Sequence, residues 1–374
     1  MSDTDHRPLV AVLFGGRSSE HSVSCVTAAG VISAIDDEAY RVLPIGITKT
    51  GVWRIVEDWE SMRFDPENMP EVTDDGTEVI PRVSAAGAPL IHRDAAGSYS
   101  ELETVDVFFP VLHGQFGEDG TLQGLFELSD TPFVGSGVFA SAASMDKHFT
   151  KSLLAHAGIP TCPWELVTQT MWETDRPDAE ARVAALGFPV FVKPARGGSS
   201  VGITRVDEWS QLQAAITEAQ RHDPKIVVEQ GIAGREIECG VLGGLNGAAP
   251  QASLLGEIVV SDGEADHQFY DFTAKYTDST AADLSCPAEL PDEATAEIRR
   301  QAVRAFDALD CEGLCRADFF YTNDGDVVIN EVNTMPGFTP ISMYPQMWKA
   351  TGVDYPELIT ALLELALARG TGLR

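Results

Sequence analysis

The chain has 374 residues, of which 44% are hydrophobic, and a formal net charge of −31. This length is sufficient for two or three domains, and the negative charge argues against nucleic acid or an anionic membrane as a partner. No apolar run approaches the roughly 20 residues of a membrane span, and the N-terminal sequence MSDTDHRPLV has no secretory signal. The six cysteines are scattered, with the spacing of neither a zinc site nor a disulfide framework. These features predict a soluble, cytoplasmic protein with reduced thiols.

The first predicted element is the apolar strand Leu9–Phe14, which is followed by GGRSSE and a helical pattern. A strand, a glycine turn and a helix N-terminus often form an anion site. Here the G-x-G-x-x-G spacing of a dinucleotide site is absent. Glu20, in the first turn of the predicted helix, would repel phosphate and suits an ammonium group. The alternative is that Glu20 only complements the helix dipole.

A second buried strand, Val105–Leu112, precedes the loop HGQFGEDG. His113 therefore lies at the carboxyl end of a strand, where α/β sheets place ligands; an incidental loop histidine is the alternative. The intervening residues 57–104 are acidic and rich in Pro and Gly, which indicates an insertion. Strands and helices alternate up to this point, and this pattern predicts a mostly parallel sheet.

Two further strands, Pro189–Lys193 and Val201–Val206, flank the loop PARGGSS. Such a Gly/Ser loop can fold over phosphates and donate backbone N–H groups to them. It is not a Walker loop, because G-K-[ST] is absent. The polar and aromatic segment 267–279, HQFYDFTAKYTDS, is poorly periodic and is predicted to be a functional loop.

The stretch CRADFFYTNDGDVVINEVNTMPG predicts a β-hairpin, because Asp-Gly separates two apolar-alternating runs. A two-residue turn at 324–325 would place Asp318 opposite Glu331 and Arg316 opposite Asn333. Side chains alternate along a strand, so Asp318, Glu331 and Asn333 would share one face.

Opposed carboxylates such as Asp318 and Glu331 repel each other unless a cation lies between them. With the Asn333 carbonyl they offer hard oxygen ligands, which suit Mg²⁺ and not zinc or copper. The alternative is a pair of solvated carboxylates. The apolar residues around them indicate a buried hairpin, where unpaired carboxylates are costly, and a metal site is therefore the working hypothesis.

Seven motifs, GGRSSEHSVS, LHGQFGEDGTLQG, GSG…SMDK, VKPARGGSSVG, DFTAKY, CRADF and INEVNTMPG, occur in this order. Together they resemble the D-alanine–D-alanine ligase family of the ATP-grasp superfamily, over nearly the whole chain and most weakly over 57–104 and 166–180. The resemblance implies an α/β fold that is α+β in its C-terminal half. A doubly wound parallel-sheet domain (1–139), a small central domain (140–235) and a larger C-terminal domain (236–374) would grip ATP between the last two.

Position by position, the resemblance assigns two Mg²⁺ or Mn²⁺ ions to Asp318, Glu331 and Asn333. The ATP phosphates are assigned to three of the seven lysines, Lys147, Lys193 and Lys275. The other implied ATP contacts are Ser200 over the γ-phosphate, Glu229, Gln230 and Ile232 at adenine, and Glu236 at the ribose.

For the first D-alanine, the resemblance implies that Glu20 receives the ammonium group and that His113 binds the carboxylate. Ser199 and Tyr276 would tie the loops shut over the site. The residues implied beside the reacting carbonyl and the second D-alanine are Arg316, Gly337, Ser342 and Met343.

The implied activity is ATP-dependent ligation of two D-alanines through a D-alanyl phosphate, which supplies a peptidoglycan precursor. The resemblance also implies a homodimer, with K⁺ as a candidate activator. The alternatives are a D-Ala–D-lactate or D-Ala–D-Ser ligase, or a non-catalytic nucleotide-binding regulatory protein. Lys275-Tyr276 favours D-alanine as the second substrate, and the complete set of Arg316 and the three metal residues argues against a non-catalytic protein.

Overall fold

The computed structural model describes residues 6–65, 67–84, 88–93, 96–260 and 282–372. These residues form three β-sheets with flanking helices. The predicted loop 267–279, with Lys275 and Tyr276, lies outside the described residues. In these parts of the chain, no helix is long and apolar enough to cross a bilayer.

The N-terminal sheet has seven strands in the order β6-β5-β4-β3-β2-β1-β7. They are β1 Leu9–Gly15, β2 Arg41–Ile47, β3 Trp53–Ile55, β4 Glu78–Pro81, β5 Ala88–Arg93, β6 Tyr99–Val105 and β7 Val107–Pro110. Strand β1 pairs in parallel with β2 and β7, as predicted from the strand–helix alternation. The other pairings are antiparallel.

The antiparallel part of this sheet comes largely from the predicted insertion 57–104, which contributes β4, β5 and most of β6. The connections from β4 to β5 and from β5 to β6 are too short for the crossover that parallel pairing requires. The insertion therefore extends the sheet as a meander, and parallel pairing is confined to the three strands β1, β2 and β7.

The central sheet is antiparallel throughout, in the order β10-β9-β11-β8. Its strands are β8 Trp164–Thr168, β9 Val190–Pro194, β10 Thr204–Val206 and β11 Lys225–Gln230. Three helices supply the rest of its core, α5 Gln169–Thr174, α6 Arg176–Leu186 and α7 Leu212–Gln220.

The C-terminal sheet has the order β14-β13-β12-β15-β16. Its strands are β12 Gly234–Leu242, β13 Gln251–Val260, β14 Ala282–Ser285, β15 Leu314–Thr322 and β16 Val327–Asn333. Its core includes α8 Asp292–Ala308 and also residues of α3 Val138–Met145 and α4 Lys147–His156. Helices α3 and α4 thus pack with the C-terminal sheet, although the sequence-based boundaries group nearly all of their residues with the central domain.

The first and last helices share one hydrophobic core with strand β1. These helices are α1 His21–Ala34 and α10 Tyr355–Arg369, and the residues around α9 Met343–Thr351 join them. The remaining α-helix of the described residues is α2 Thr121–Leu128. This packing brings the start of α1 and the loop after β16 to the same part of the molecule.

All six cysteines are unpaired, as the sequence predicts. Five are buried, and Cys286, which follows β14, is partly exposed.

The predicted hairpin forms, with Asp318 opposite Glu331 and Arg316 opposite Asn333. The predicted two-residue turn is wrong: Thr322 N–H donates to the Asp326 carbonyl at 3.0 Å, which leaves three residues in the loop. The extra loop residue shifts the register near the turn by one. An irregularity beyond Phe319, where one residue of β16 has no partner, shifts it back. The predicted pairing is therefore correct because two departures from the simple ladder cancel.

Candidate active site

A cavity of about 380 Å³ is lined by residues from all three sheets and their loops. It brings together most of the residues predicted to form the site. These are Glu20, His113, Lys147, Lys193, Ser199, Ser200, Glu229, Gln230, Ile232, Glu236, Arg316, Asp318, Glu331, Asn333 and Gly337.

Two predicted residues, Ser342 and Met343, do not line this cavity. Ser342 precedes α9, and its hydroxyl lies 2.7 Å from the Thr339 hydroxyl and accepts from the Thr339 N–H at 3.1 Å. Met343 is buried, and its side chain packs against Gly256 of β13. The first turn of α9 thus faces the sheet, and the substrate contacts of Ser342 and Met343 stay a prediction.

The hairpin side chains form one hydrogen-bonded group. Arg316 makes two 2.7 Å contacts to the Asp318 carboxylate, and Asn333 donates to the same carboxylate at 2.9 Å. Glu238, opposite Asp318 on β12, lies 3.2 Å from Arg316. Burial opposes the charge on Arg316, yet Asp318 and Glu238 raise its pKa well above its usual range.

The hairpin residues fit a magnesium site that is completed by a substrate. Two carboxylates, those of Asp318 and Glu331, and the Asn333 amide line the same cavity. Over the described ranges, no group of three or more His, Cys, Asp and Glu side chains could hold a metal unaided. Mg²⁺ typically takes one or two carboxylates and completes its octahedron with water and phosphate oxygens. Asn333 would present its carbonyl oxygen to a cation after rotating its amide away from Asp318.

Two of the lysines predicted to bind phosphate are described, and they approach the cavity from different elements. Lys147 begins α4, donates to the Gly197 carbonyl at 2.7 Å and lies 3.9 Å from Glu331. Burial lowers the pKa of Lys147, and Glu331 acts in the opposite direction. Lys193, on β9, is 2.7 Å from Glu229 on β11. Both ammonium groups thus contact oxygen atoms of the protein at the edge of the cavity.

Lys151 is a buried residue that the sequence reasoning missed. Its ammonium group lies 3.2 Å from Glu229, and its side chain is only 1% exposed. Lys151 is one helical turn beyond Lys147, so the two lie on the same helix face. This spacing from Lys147 was the sequence feature that could have identified Lys151.

The Gly/Ser loop closes onto the start of α1. Ser199 donates its hydroxyl hydrogen to a Glu20 carboxylate oxygen at 2.5 Å. Ser199 and Ser200 have φ values of +49° and +58°, a left-handed conformation that is strained for residues other than glycine. Glu20 is the N-cap residue of α1 and not part of its first turn, and its side chain makes no capping hydrogen bond. Its carboxylate therefore faces the loop and the cavity, as a substrate-binding group would.

His113 is buried, and its Nδ1 lies 3.2 Å from the Met335 carbonyl. Burial lowers the pKa of His113, which keeps its imidazole neutral near pH 7.

Glu118, which the sequence reasoning also missed although it lies in the motif LHGQFGEDGTLQG, lines the same part of the cavity. Its carboxylate accepts from the Gly114 N–H at 2.6 Å and from the Met335 N–H at 3.2 Å. Burial, followed by the charge of Glu20, raises the pKa of Glu118 to about 8. Glu118 thus joins the loop after β7 to the loop after β16.

Comparison with known proteins places this geometry in a family. Residues 9–136 match the family model described as D-ala D-ala ligase N-terminus, and residues 153–364 match D-ala D-ala ligase C-terminus. The chain is 56% identical over 378 residues to the D-alanine–D-alanine ligase of Paenarthrobacter aurescens (strain TC1), covering 99% of this chain and 100% of the relative.

Two solved structures share the fold. The VanG D-Ala:D-Ser ligase from Enterococcus faecalis is 36% identical, with a TM-score of 0.82 and coverage of 96% of this chain and 99% of that one. The D-alanine-D-alanine ligase from Coxiella burnetii is 34% identical, with a TM-score of 0.77 and coverage of 98% and 95%. The family models, the relative and the two structures agree with one another, and the chain belongs to the D-alanine–D-alanine ligase family, with the ATP-grasp fold.

Proposed function

We propose that this protein joins two molecules of D-alanine in a reaction that converts ATP to ADP and phosphate, and so supplies a peptidoglycan precursor. One observation carries the proposal. A single cavity combines the hairpin group of Arg316, Asp318, Glu331 and Asn333 with Glu20, which is held by the Gly/Ser loop.

In the first step, a carboxylate oxygen of the first D-alanine attacks the γ-phosphorus of ATP, and ADP leaves. Glu20 attracts the ammonium group of this D-alanine and orients its carboxylate. Lys147 and Lys193 counter the negative charge that spreads over the phosphoryl oxygens. Mg²⁺ ions held by Asp318, Glu331 and Asn333 would supply further charge neutralisation.

In the second step, the amine of the second D-alanine attacks the acyl carbon, and phosphate leaves. The developing oxyanion would accept hydrogen bonds from Arg316 and the Gly337 N–H, and one such donor is typically worth about 3 kcal/mol. The attacking amine must lose a proton. His113 has the neutral protonation state of a base, because burial lowers its pKa.

Phosphate release with D-alanine, D-serine or D-lactate as the second substrate tests this proposal. The likeness to a D-Ala:D-Ser ligase makes D-serine the pertinent competitor. We expect D-alanine to give the highest kcat/KM for the second site. A higher value with D-serine or D-lactate would replace the proposed specificity, and ADP formation independent of any D-amino acid would refute ligation altogether.

The proposal extends to the setting of the reaction. We infer two Mg²⁺ or Mn²⁺ ions per site, activation by K⁺, a homodimeric assembly and a cytoplasmic location, where D-alanine and ATP are both available. Sedimentation velocity and a K⁺ titration of the initial rate examine the assembly and the activation directly.

A further inference from the structure

Lys151 has a buried ammonium group whose contacts reach beyond its own helix. The ammonium nitrogen lies 3.2 Å from three acceptors, which are a Glu229 carboxylate oxygen, the Cys162 sulfur and the Asn330 carbonyl. An ammonium group has three N–H donors, so every donor has a partner. A buried charge persists only where it is paired and hydrogen-bonded.

The three acceptors lie on separate parts of the site. Glu229 is on β11 of the central sheet, and Cys162 precedes β8. Asn330 is the residue of β16 without a partner in the ladder, and it directly precedes Glu331. Lys151 therefore connects the nucleotide side of the cavity to the strand that carries two of the metal-binding candidates.

Glu229 contacts two lysines that differ in accessibility. One carboxylate oxygen meets Lys193 at 2.7 Å, and the other meets Lys151 at 3.2 Å. The Lys193 side chain is 12% exposed and lines the cavity, whereas the Lys151 side chain is 1% exposed. Only Lys193 can turn to a phosphate, and Glu229 then keeps Lys151 as its partner.

We propose that Lys151 is a positioning residue for both halves of the site. It holds Glu229 in place when Lys193 moves to the nucleotide, and it fixes the Asn330 irregularity that sets the position of Glu331. The inference rests on the proposed nucleotide site, and Lys151 itself touches no substrate.

Four ionisable groups act on Glu229, namely Lys147, Lys151, Lys193 and Cys162. Burial alone would raise the pKa of Glu229, but Lys151 and Lys193 lower it to about 2. Without Lys151, and with Lys193 drawn to phosphate, this carboxylate would protonate at much higher pH. The ADP affinity of Lys151→Met would then depend on pH near neutrality. In the wild-type protein Glu229 stays ionised there, and its titration does not affect the affinity.

The test compares Lys151→Met, which keeps most of the length of the side chain and removes its charge, with the wild-type protein. The matched control is Lys349→Met, at an exposed position of α9. Calorimetry with ADP and Mg²⁺ measures nucleotide affinity without requiring the reaction. Initial rates then give KM for ATP and the Mg²⁺ midpoint.

We expect Lys151→Met to weaken ADP affinity and raise the Mg²⁺ midpoint by roughly 10- to 100-fold, the range typical of residues that orient a ligand. The loss of ADP affinity should be largest at pH 8 and should shrink as the pH falls to 6, because protonation removes the unpaired charge of Glu229 in the complex. The control should match the wild-type protein at every pH. Wild-type affinities in Lys151→Met, or a loss that is the same at every pH, would overturn the inference.

A double variant covers the case in which Lys151→Met alone does not fold. Lys151→Met with Glu229→Gln contains no unbalanced carboxylate, so we expect it to fold and to bind ADP without the added pH dependence. Relative to Glu229→Gln alone, it should still show the raised Mg²⁺ midpoint, because the Asn330 contact is lost. Equal Mg²⁺ midpoints in the double variant and in Glu229→Gln would refute the proposed link between Lys151 and the metal-binding candidate Glu331. An inactive wild-type protein that binds ADP normally would refute the proposed reaction and leave this inference standing.

Discussion

The contact between Glu20 and Ser199 gives a direct test of how the first D-alanine is recognised. Glu20→Gln removes one negative charge and keeps an oxygen that can still accept the Ser199 hydroxyl at the observed 2.5 Å position. The loop contact therefore survives as a neutral hydrogen bond. The change falls on the ammonium group of the substrate, which loses its charged acceptor.

A hydrogen bond to a charged group contributes about 1.5–3 kcal/mol. Since about 1.4 kcal/mol corresponds to a tenfold change in affinity, KM for the first D-alanine should rise roughly 10- to 150-fold. KM for ATP should change little, because the ATP-binding candidates Lys147 and Lys193 lie on other elements. Initial rates over a wide range of D-alanine concentration separate the two amino-acid sites.

Two further variants make the result specific. Ser199→Gly keeps the charge of Glu20 and suits the left-handed backbone at that position, so it measures the loop contact alone. Glu38→Gln removes an equally negative but exposed side chain and should behave as wild type. Equal effects of Glu20→Gln on KM for ATP and for D-alanine would refute substrate recognition and leave Glu20 with the helix-dipole role.

Three other predictions concern the metal site, a buried acid and a loop anchor. Asp318→Asn should lower kcat with added Mg²⁺ by more than about a hundredfold while the circular dichroism spectrum stays native, and full activity would exclude Asp318 as a ligand. Because the pKa of Glu118 is raised to about 8, its contribution to the free energy of unfolding is present below pH 4.5 and is lost as the pH rises to about 8. Denaturant titrations should show this loss in the wild-type protein and not in Glu118→Gln; parallel profiles would contradict the shift. Tyr355→Phe deletes a 2.7 Å hydrogen bond to the Phe338 carbonyl and should cost about 1 kcal/mol of unfolding free energy, and an unchanged denaturation midpoint would count against that anchor.

The fold and the hairpin show what sequence patterns can predict. Period-two alternation and the Asp-Gly signal correctly placed Asp318 opposite Glu331. The loop length was missed because local hydrogen bonds hold three residues there, among them one from the Asp326 N–H to the Thr322 hydroxyl. The Asn330 irregularity was not predictable from such patterns, because it depends on tertiary contacts. The Ile329 N–H donates to the Pro160 carbonyl, and Lys151 donates to the Asn330 carbonyl.

The sequence patterns did not predict the buried ion pairs. Charged residues are ordinarily read as exposed, and a contact such as that between Lys151 and Glu229 joins residues far apart in the chain. The sequence patterns also predicted parallel pairing over more of the N-terminal sheet than the structure shows. Short polar strands in the insertion, such as Tyr99–Val105, carry little hydrophobic signal, so their antiparallel pairing is visible only in the structure.

The unequal burial of the six cysteines gives this protein a built-in labelling site. Cys286 is the only one that is not fully buried, and although burial also raises the pKa of its thiol, a maleimide dye will reach it first. The dye would be attached directly after β14, a few residues beyond the segment that contains Lys275 and Tyr276. Its fluorescence could then be followed in rapid-mixing experiments with ATP or D-alanine, without introducing or removing any cysteine.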